Sequence, residues 1–212
     1  MSKLVLKQFP EKMEELPVDP HHLGAVLVNG CFRQEVTVHG RARAFLTYIP
    51  EHTESCQPCL VVVPPAEAEG LEFLESSGLR AFVDERKLFV FLLIPEAGAW
   101  NLDGEDADFM NAVYVEAQAR DYYVTMQDNF YACGVGDGAS VAQQAAARMS
   151  TEWSGLMTMG DLQTELGEQA QPAGSLQGEK DGELHIFKGQ AQMPVWMVVS
   201  RFQGQNQAAA DY

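Results

Sequence analysis

Basic side chains are scarce. Lys and Arg number 14 against 30 Asp and Glu in 212 residues, a formal net charge of −16. Nucleic acids and anionic membrane surfaces are bound through Lys and Arg, so neither is expected as a partner. Long apolar runs are also missing. None approaches the roughly 20 residues of a membrane span. The opening "MSKLVLKQFPEKMEELP" turns acidic before it reaches the apolar length of about 7–15 residues that a secretory signal needs. A cytoplasmic protein is expected. Cysteine is sparse: Cys31, Cys56, Cys59 and Cys133. Cys56 and Cys59 form a C-x-x-C that runs straight into the strand-like "LVVV". A redox pair usually opens a helix, and a zinc site needs about four ligands where no second pair follows. Free thiols are expected, with no metal and no cofactor.

What remains is ordinary for a folded domain: 46% apolar and 21% charged residues, and enough chain for one sizeable core. Residues 1–22 read as an irregular lead-in and 23–212 as one domain. "GAVLVNGCFRQEVTVHGRARAFLTYIP" alternates on both sides of His39-Gly40. Val36 and Val38 share one face, and Ala44, Leu46 and Tyr48 the other, which predicts a hairpin. "CLVVVPP", "LFVFLLIP", "FYACGV", "GLMTMG" and "MPVWMVVS" read as buried strands. Between them, helices are predicted in the second half of "LEFLESSGLRAFVDERK" (Leu79, Phe82, Val83), from about Asp106 (Phe109, Val113, Ala117), and over "ASVAQQAAARM". Residues 161–192 are polar and form an excursion, with "ELHIF" as a short strand. A hairpin followed by alternating strands and helices predicts an α/β architecture. Its sheet is mostly parallel, with helices on both faces.

The stretch "YACGVGDGASVAQQAA" (residues 131–146) joins a strand to an alanine-rich helix through glycines. Two sites have that shape. Gly134, Gly136 and Ala139 fit the phosphate-binding G-x-G-x-x-[GA] turn of a dinucleotide-binding domain, with Asp161 after the next strand as the ribose-binding acid. That turn normally follows the first strand of its domain, whereas here a hairpin and two buried strands come first. The other site is a nucleophile elbow, G-x-S-x-G.

Several pieces resemble polyhydroxybutyrate depolymerase-like and feruloyl esterase-like proteins of the α/β-hydrolase superfamily. "EVTVHGRARAFLTYIPE" resembles their opening hairpin, and "CLVVVPP" and "SSGLRAFVDERKLFVFLLIPEAGAWN" their next strand, helix and strand. "FYACGVGDGASVAQQAA" is similar to their elbow, and "MPVWMVVS" to the strand before their catalytic acid. The likeness spans about residues 30–210. It implies an α/β-hydrolase fold, an ester-like or acyl ligand, and four catalytic parts: a nucleophile, an oxyanion hole, an acid and a histidine.

Each part is altered here. Gly134-Val135-Gly136-Asp137-Gly138 puts Gly136 where the serine belongs. Ser140, four residues on, sits in "GASVA", which fits small-x-Ser-x-small but would move the turn one helical turn downstream and ignore three glycines; Asp137 would need Val135 and Ala139 as its small neighbours, and valine fits badly. Where the family has His-Gly, this chain has Pro64-Pro65, and proline carries no N–H for an oxyanion. After "MPVWMVVS" comes "RFQGQNQ", with no carboxylate before Asp211. The family's histidine follows one further strand, so the C-terminal part of the fold is expected to be missing. His21, His22, His39, His52 and His185 are expected in exposed or structural roles. Three functions stand side by side. One is a domain without catalysis, acting as a structural, binding or regulatory unit. Another is an active ester hydrolase with an unusual nucleophile, or one completed by another chain. The third is a dinucleotide binder. A sheet ending near 193–212 leaves an edge that proteins normally cover, so a homo-oligomer or a second chain is expected there.

Overall fold

The structure is a computed structural model that describes residues 3–9, 28–119, 129–160 and 195–198. Among these residues, eight strands form one sheet in the order β1-β2-β3-β5-β4-β6-β7-β8. The hairpin of β2 (Gly30–Val38) and β3 (Arg41–Ile49) is present as expected. Val38 pairs with Arg41 across His39 and Gly40, whose φ values of 48° and 77° are both positive. That pair of left-handed residues matches the twist of the flanking strands. Val36 and Val38 pack with one core cluster, Leu46 and Tyr48 with the other.

The expected apolar strands also form: β4 (Cys59–Val63), β5 (Phe89–Leu93), β6 (Phe130–Val135) and β7 (Gly155–Met159). From β5 through β4, β6 and β7 to β8 (Val195–Val198) every pairing is parallel, while β3 meets β5 antiparallel. Every residue of β4 and β5 is buried, as a strand covered on both faces must be. Helix α3 (Glu105–Ala119) and helix α4 (Gly138–Arg148) cover one face, burying Phe109, Val113 and Ala117 with Val141, Ala142 and Ala145. The short helices α1 (Gly70–Ser76) and α2 (Leu79–Arg86) cover part of the other through Leu74 and Val83.

Three expectations need correction. The lead-in is not irregular throughout: β1 (Leu6–Lys7) pairs parallel with Cys31 and Phe32 of β2. Phe9 then meets the Phe32 ring edge-on at 5.1 Å. Both halves of "LEFLESSGLRAFVDERK" are helical, because Gly78 at φ 82° turns the chain between two helices. Phe82, placed with Leu79 and Val83 on the buried stripe, is 48% exposed. It lies about 100° around the helix from the fully buried Val83. Finally, three apolar residues placed on buried strands are exposed: Met157 and Met159 of β7 at 43% and 48%, and Trp196 of β8, whose described neighbour is β7, at 50%. The expected excursion over 161–192, with "ELHIF", falls outside the described residues.

One buried ion pair ties the hairpin to the helical layer. Arg43 on β3, 5% exposed, donates to Asp106 at 2.6 Å, and Asp106 is 2% exposed. The Arg43 guanidinium lies 4.3 Å from the Phe109 ring centre, and Asp106 also accepts the Asn101 N–H at 2.5 Å. Asp106 sits in the first turn of α3 with Glu105 and Asp108, where the helix dipole favours negative charge.

The four thiols are free; Cys56 is exposed and the other three are buried. Desolvation pushes Cys31 up to about 11, Cys133 up to about 12, and Cys59 further still. Their stabilising effect is whole below the unfolded-state value of about 8.5 and is lost as pH rises toward the folded values. The urea midpoint is therefore expected to fall between about pH 9 and 11. At pH 8 iodoacetamide should modify Cys56 well before the other three, and all four alike in urea. Equal rates in the native chain would contradict their burial. No helix among the described residues is long and apolar enough to cross a membrane.

Candidate functional site

An open parallel sheet has one preferred place for a ligand. It is the crevice beyond the C-terminal ends of the strands, where successive connections leave in opposite directions. Here β4 connects leftward to β5 while β6 connects rightward to β7. The crevice therefore lies between the loop after β4, Pro64-Pro65-Ala66, and the turn after β6, Gly136-Asp137. The glycine turn and the double proline, 71 positions apart, meet there.

Gly136 is the apex of the turn, at φ 62°. That left-handed conformation costs an ordinary residue about 1–3 kcal/mol and glycine almost nothing. The apex N–H donates to the Met159 carbonyl at 2.7 Å, and its own carbonyl accepts the Ala139 N–H at 3.2 Å. A Cβ on Gly136 would stand 3.3 Å from Pro65 Cγ. The spot over the apex is thus bordered by a proline ring.

The flanking glycines serve close approach. A Cβ on Gly134 would come within 2.6 Å of Ala139 Cα, and one on Gly138 within 2.5 Å of the Val63 oxygen and 2.6 Å of the Pro64 oxygen. Helix α4 starts directly against the end of β4, and only glycine permits that spacing. Gly160, at the end of β7 with φ 132°, presses on the apex from the other side, its missing Cβ falling 2.7 Å from Gly136 Cα.

Asp137 bridges the crevice. It is the N-cap of α4, yet its side chain caps nothing in its own helix. Instead Oδ1 accepts the Ala66 N–H at 3.0 Å. Pro64 and Pro65 have no N–H, so Ala66 is the first residue after β4 that can donate, and its donor is taken by the protein's own carboxylate. The Pro64 carbonyl accepts the Trp100 indole N–H at 2.8 Å, and the Pro65 carbonyl the Ala68 N–H at 3.0 Å.

Ser140 lies within α4 and is 5% exposed, one helical turn beyond the apex. The structure therefore brings Gly134, Gly136, Asp137 and Gly138 together with Pro64 and Pro65, and sets Ser140 inside the helix. His39 sits in the hairpin turn, 3.0 Å from Asp108, and His52 in another exposed turn. His21, His22, His185, Asp161, "RFQGQNQ" and Asp211 fall outside the described residues. Among the described residues no group of His, Cys, Asp and Glu could hold a metal ion. The phosphate-loop alternative has its glycines on the third parallel strand, β6, rather than the first, and the apex N–H is already bonded. Sequence reasoning missed Ala66 and Gly160, of which only Gly160, closing "GLMTMG", carried a visible signal; Trp100 entered it only as the tryptophan that follows the strand in the family likeness.

No family model and no curated protein matches the chain. Solved structures do. The S-formylglutathione hydrolase FrmB of Staphylococcus aureus superposes with a TM-score of 0.52 at 12% identity, over 62% of this chain and 56% of that one. FphF, a fluorophosphonate-binding serine hydrolase of the same organism, gives 0.50 at 11%, over 61% and 55%. The α/β-hydrolase GrgF from Penicillium sp. sh18 gives 0.50 at 12%, over 61% and 45%. This chain spans about half the length of these structures. The likeness establishes the fold: these residues adopt an α/β-hydrolase fold.

Proposed function

We propose that this domain keeps the strand–turn–helix of a hydrolase elbow without its chemistry, and acts as a structural, binding or regulatory unit. The observation that carries this is the apex. Gly136 has the left-handed backbone an elbow nucleophile would need, bears no side chain, and faces the Pro65 ring. An acyl-transfer site needs a nucleophile, an adjacent base and N–H donors aimed at the developing oxyanion. Around Gly136 the nearest carboxylate, Asp137, occupies the Ala66 N–H that an oxyanion would otherwise engage.

A carboxylate in that position repels an anionic intermediate. It also weakens Asp137 as a nucleophile, since its Oδ1 already accepts a hydrogen bond. The buried helical position of Ser140 speaks against the other substitute. The sequence likeness to polyhydroxybutyrate depolymerase and feruloyl esterase proteins makes an ester-like or acyl group the ligand class we assign, held without turnover. Its macromolecular partner engages the outer side of β8, the last strand of the sheet among the described residues.

A fluorophosphonate probe tests this. The parent chain is expected to remain unlabelled. Gly136→Ser is expected to remain unlabelled too, and to lose about 1–3 kcal/mol of stability from its positive φ. Stoichiometric labelling of the parent would defeat the proposal, and labelling of Gly136→Ser alone would confine the loss to the apex.

A further inference from the structure

Three lysines fall among the described residues, Lys3, Lys7 and Lys87, and all three line one cavity of about 500 Å³. Cys31 of β2 and Tyr48 and Ile49 of β3, all buried, form its floor. Arg80 and Asp84 of α2 stand in its wall. Lys87 caps α2 just before β5 begins, and β3 runs antiparallel to β5 and ends beside that point. The cavity therefore sits at the end of the sheet where the parallel strands start. The Gly136 crevice lies at their other end, so occupation of the cavity is independent of what the elbow does.

Acids and bases are segregated around it. Arg80 is held between Glu75 at 3.3 Å and Asp84 at 3.7 Å. Asp84 also accepts the Tyr48 hydroxyl at 2.5 Å, and Glu75 the Leu4 N–H at 2.6 Å. Both carboxylates are thus engaged in the wall. The lysines are engaged differently. Lys7 Nζ donates to the Asn29 carbonyl at 3.1 Å, and Lys87 Nζ to the Glu51 carbonyl at 2.8 Å. Both acceptors are neutral backbone groups. Among the described residues no carboxylate pairs with any of the three lysines, whereas Arg41, Arg43 and Arg148 each pair with one. Gly30 seats Lys7: a Cβ there would stand 2.9 Å from Lys7 Cδ and 3.0 Å from Nζ. The lysine stem lies against bare backbone, which brings its ammonium to the cavity. Glu51 is the one lining carboxylate not tied to Arg80.

We propose that this cavity binds a small molecule carrying more than one phosphate group. Its volume falls within the range of roughly 300–1,000 Å³ typical of small-molecule sites. An ammonium is a compact point charge that suits phosphate oxygens and lacks the planar fork that matches a single carboxylate. Lys3 and Lys7 approach from the β1 segment and Lys87 from the end of α2, so separate anionic groups are needed to engage both sides. Lys7 and Lys87 are already held by backbone carbonyls, which lowers the entropy lost on binding. The chain's charge of −16 opposes any anion at long range. At 0.15 M salt, however, exposed charges more than about 8 Å away are largely screened, and the ammonium groups are the near ones.

Calorimetric titration of the full chain at about 0.15 M salt tests this with three probes: sodium tripolyphosphate, inorganic phosphate and citrate. Tripolyphosphate is expected to bind saturably at one site, about tenfold or more tighter than either of the others. Lys7→Gln and Lys87→Gln should each weaken it about tenfold, the loss of one charge-assisted contact. Glu51→Gln removes a like charge and keeps the backbone carbonyl that holds Lys87, so binding should tighten about threefold. Arg33 is exposed on β2 and outside the lining. Arg33→Gln makes the same charge change and should leave binding within about twofold. Without tripolyphosphate all four variants should melt with the parent, so a lost site is not mistaken for a lost fold. Three results would overturn the proposal. One is no saturable binding of tripolyphosphate by the parent. Another is an equal loss in Arg33→Gln and Lys87→Gln, the mark of diffuse charge. The third is citrate or inorganic phosphate binding as tightly as tripolyphosphate, which would remove the need for several phosphate groups.

Discussion

Arg43→Ala is expected to cost about 3–5 kcal/mol of folding stability, measured by urea denaturation. The loss arises mainly from what is left behind. Asp106 is 2% exposed and keeps only the Asn101 N–H once the guanidinium is gone. A carboxylate that deep cannot be rehydrated without opening the junction between β3 and α3. The substitution also removes the stacking of Arg43 on Phe109, 4.3 Å away, and the aliphatic stem that packs there. Arg43→Lys keeps the charge and loses the planar fork, so an intermediate loss is expected. A loss below about 1 kcal/mol, the value of an exposed pair, would mean that the pair is not desolvated.

Gly138→Ala is expected to cost about 3 kcal/mol or more, the upper end for overpacking. Helix propensity predicts the reverse, since Ala is favoured over Gly by up to about 1 kcal/mol inside a helix. Sterics decide the sign. The added methyl would stand 2.5 Å from the Val63 oxygen and 2.6 Å from the Pro64 oxygen. Both are backbone atoms of a buried strand end and cannot rotate away. Gly136→Ala meets only a proline ring at 3.3 Å and carries its strain in φ, so its loss should be the smaller of the two. If Gly138→Ala proved neutral or stabilising, α4 would not start against β4, and the crevice geometry would be wrong.

These two sites show what was legible in the sequence. The strands β4, β5 and β6 are uninterrupted apolar runs, and His39-Gly40 announces its turn chemistry, so periodicity found the elements and their order. The pairing of Gly136 with Pro65 could be reached through the likeness to a known fold, because a double proline and a glycine-rich turn fall at matching places in chain order. The Ala66–Asp137 bond could not. It depends on a backbone N–H, which has no sequence signature, meeting a carboxylate 71 residues away. Arg43–Asp106 spans 63 residues. Arg43 alternates with apolar residues in a strand that would as readily face solvent, and burial alone distinguishes it from its exposed neighbour Arg41. Phe82 and Trp196 err in the opposite direction. Apolar character predicted burial, but a two-turn helix has a narrow buried stripe, and an end strand has one neighbour.

Gly134 carried a further ambiguity. Both a phosphate loop and an elbow use glycine for close backbone approach, so the motif alone could not choose between them. Position in the sheet separates them, since β6 is the third parallel strand and its turn faces the loop after β4.

Turnover of a short p-nitrophenyl ester by the purified chain tests the central claim most directly. The parent is expected to release p-nitrophenol no faster than buffer, and Asp137→Ala and Ser140→Ala should be indistinguishable from it. Saturable turnover by the parent that is lost in either variant would identify a working nucleophile and contradict the account.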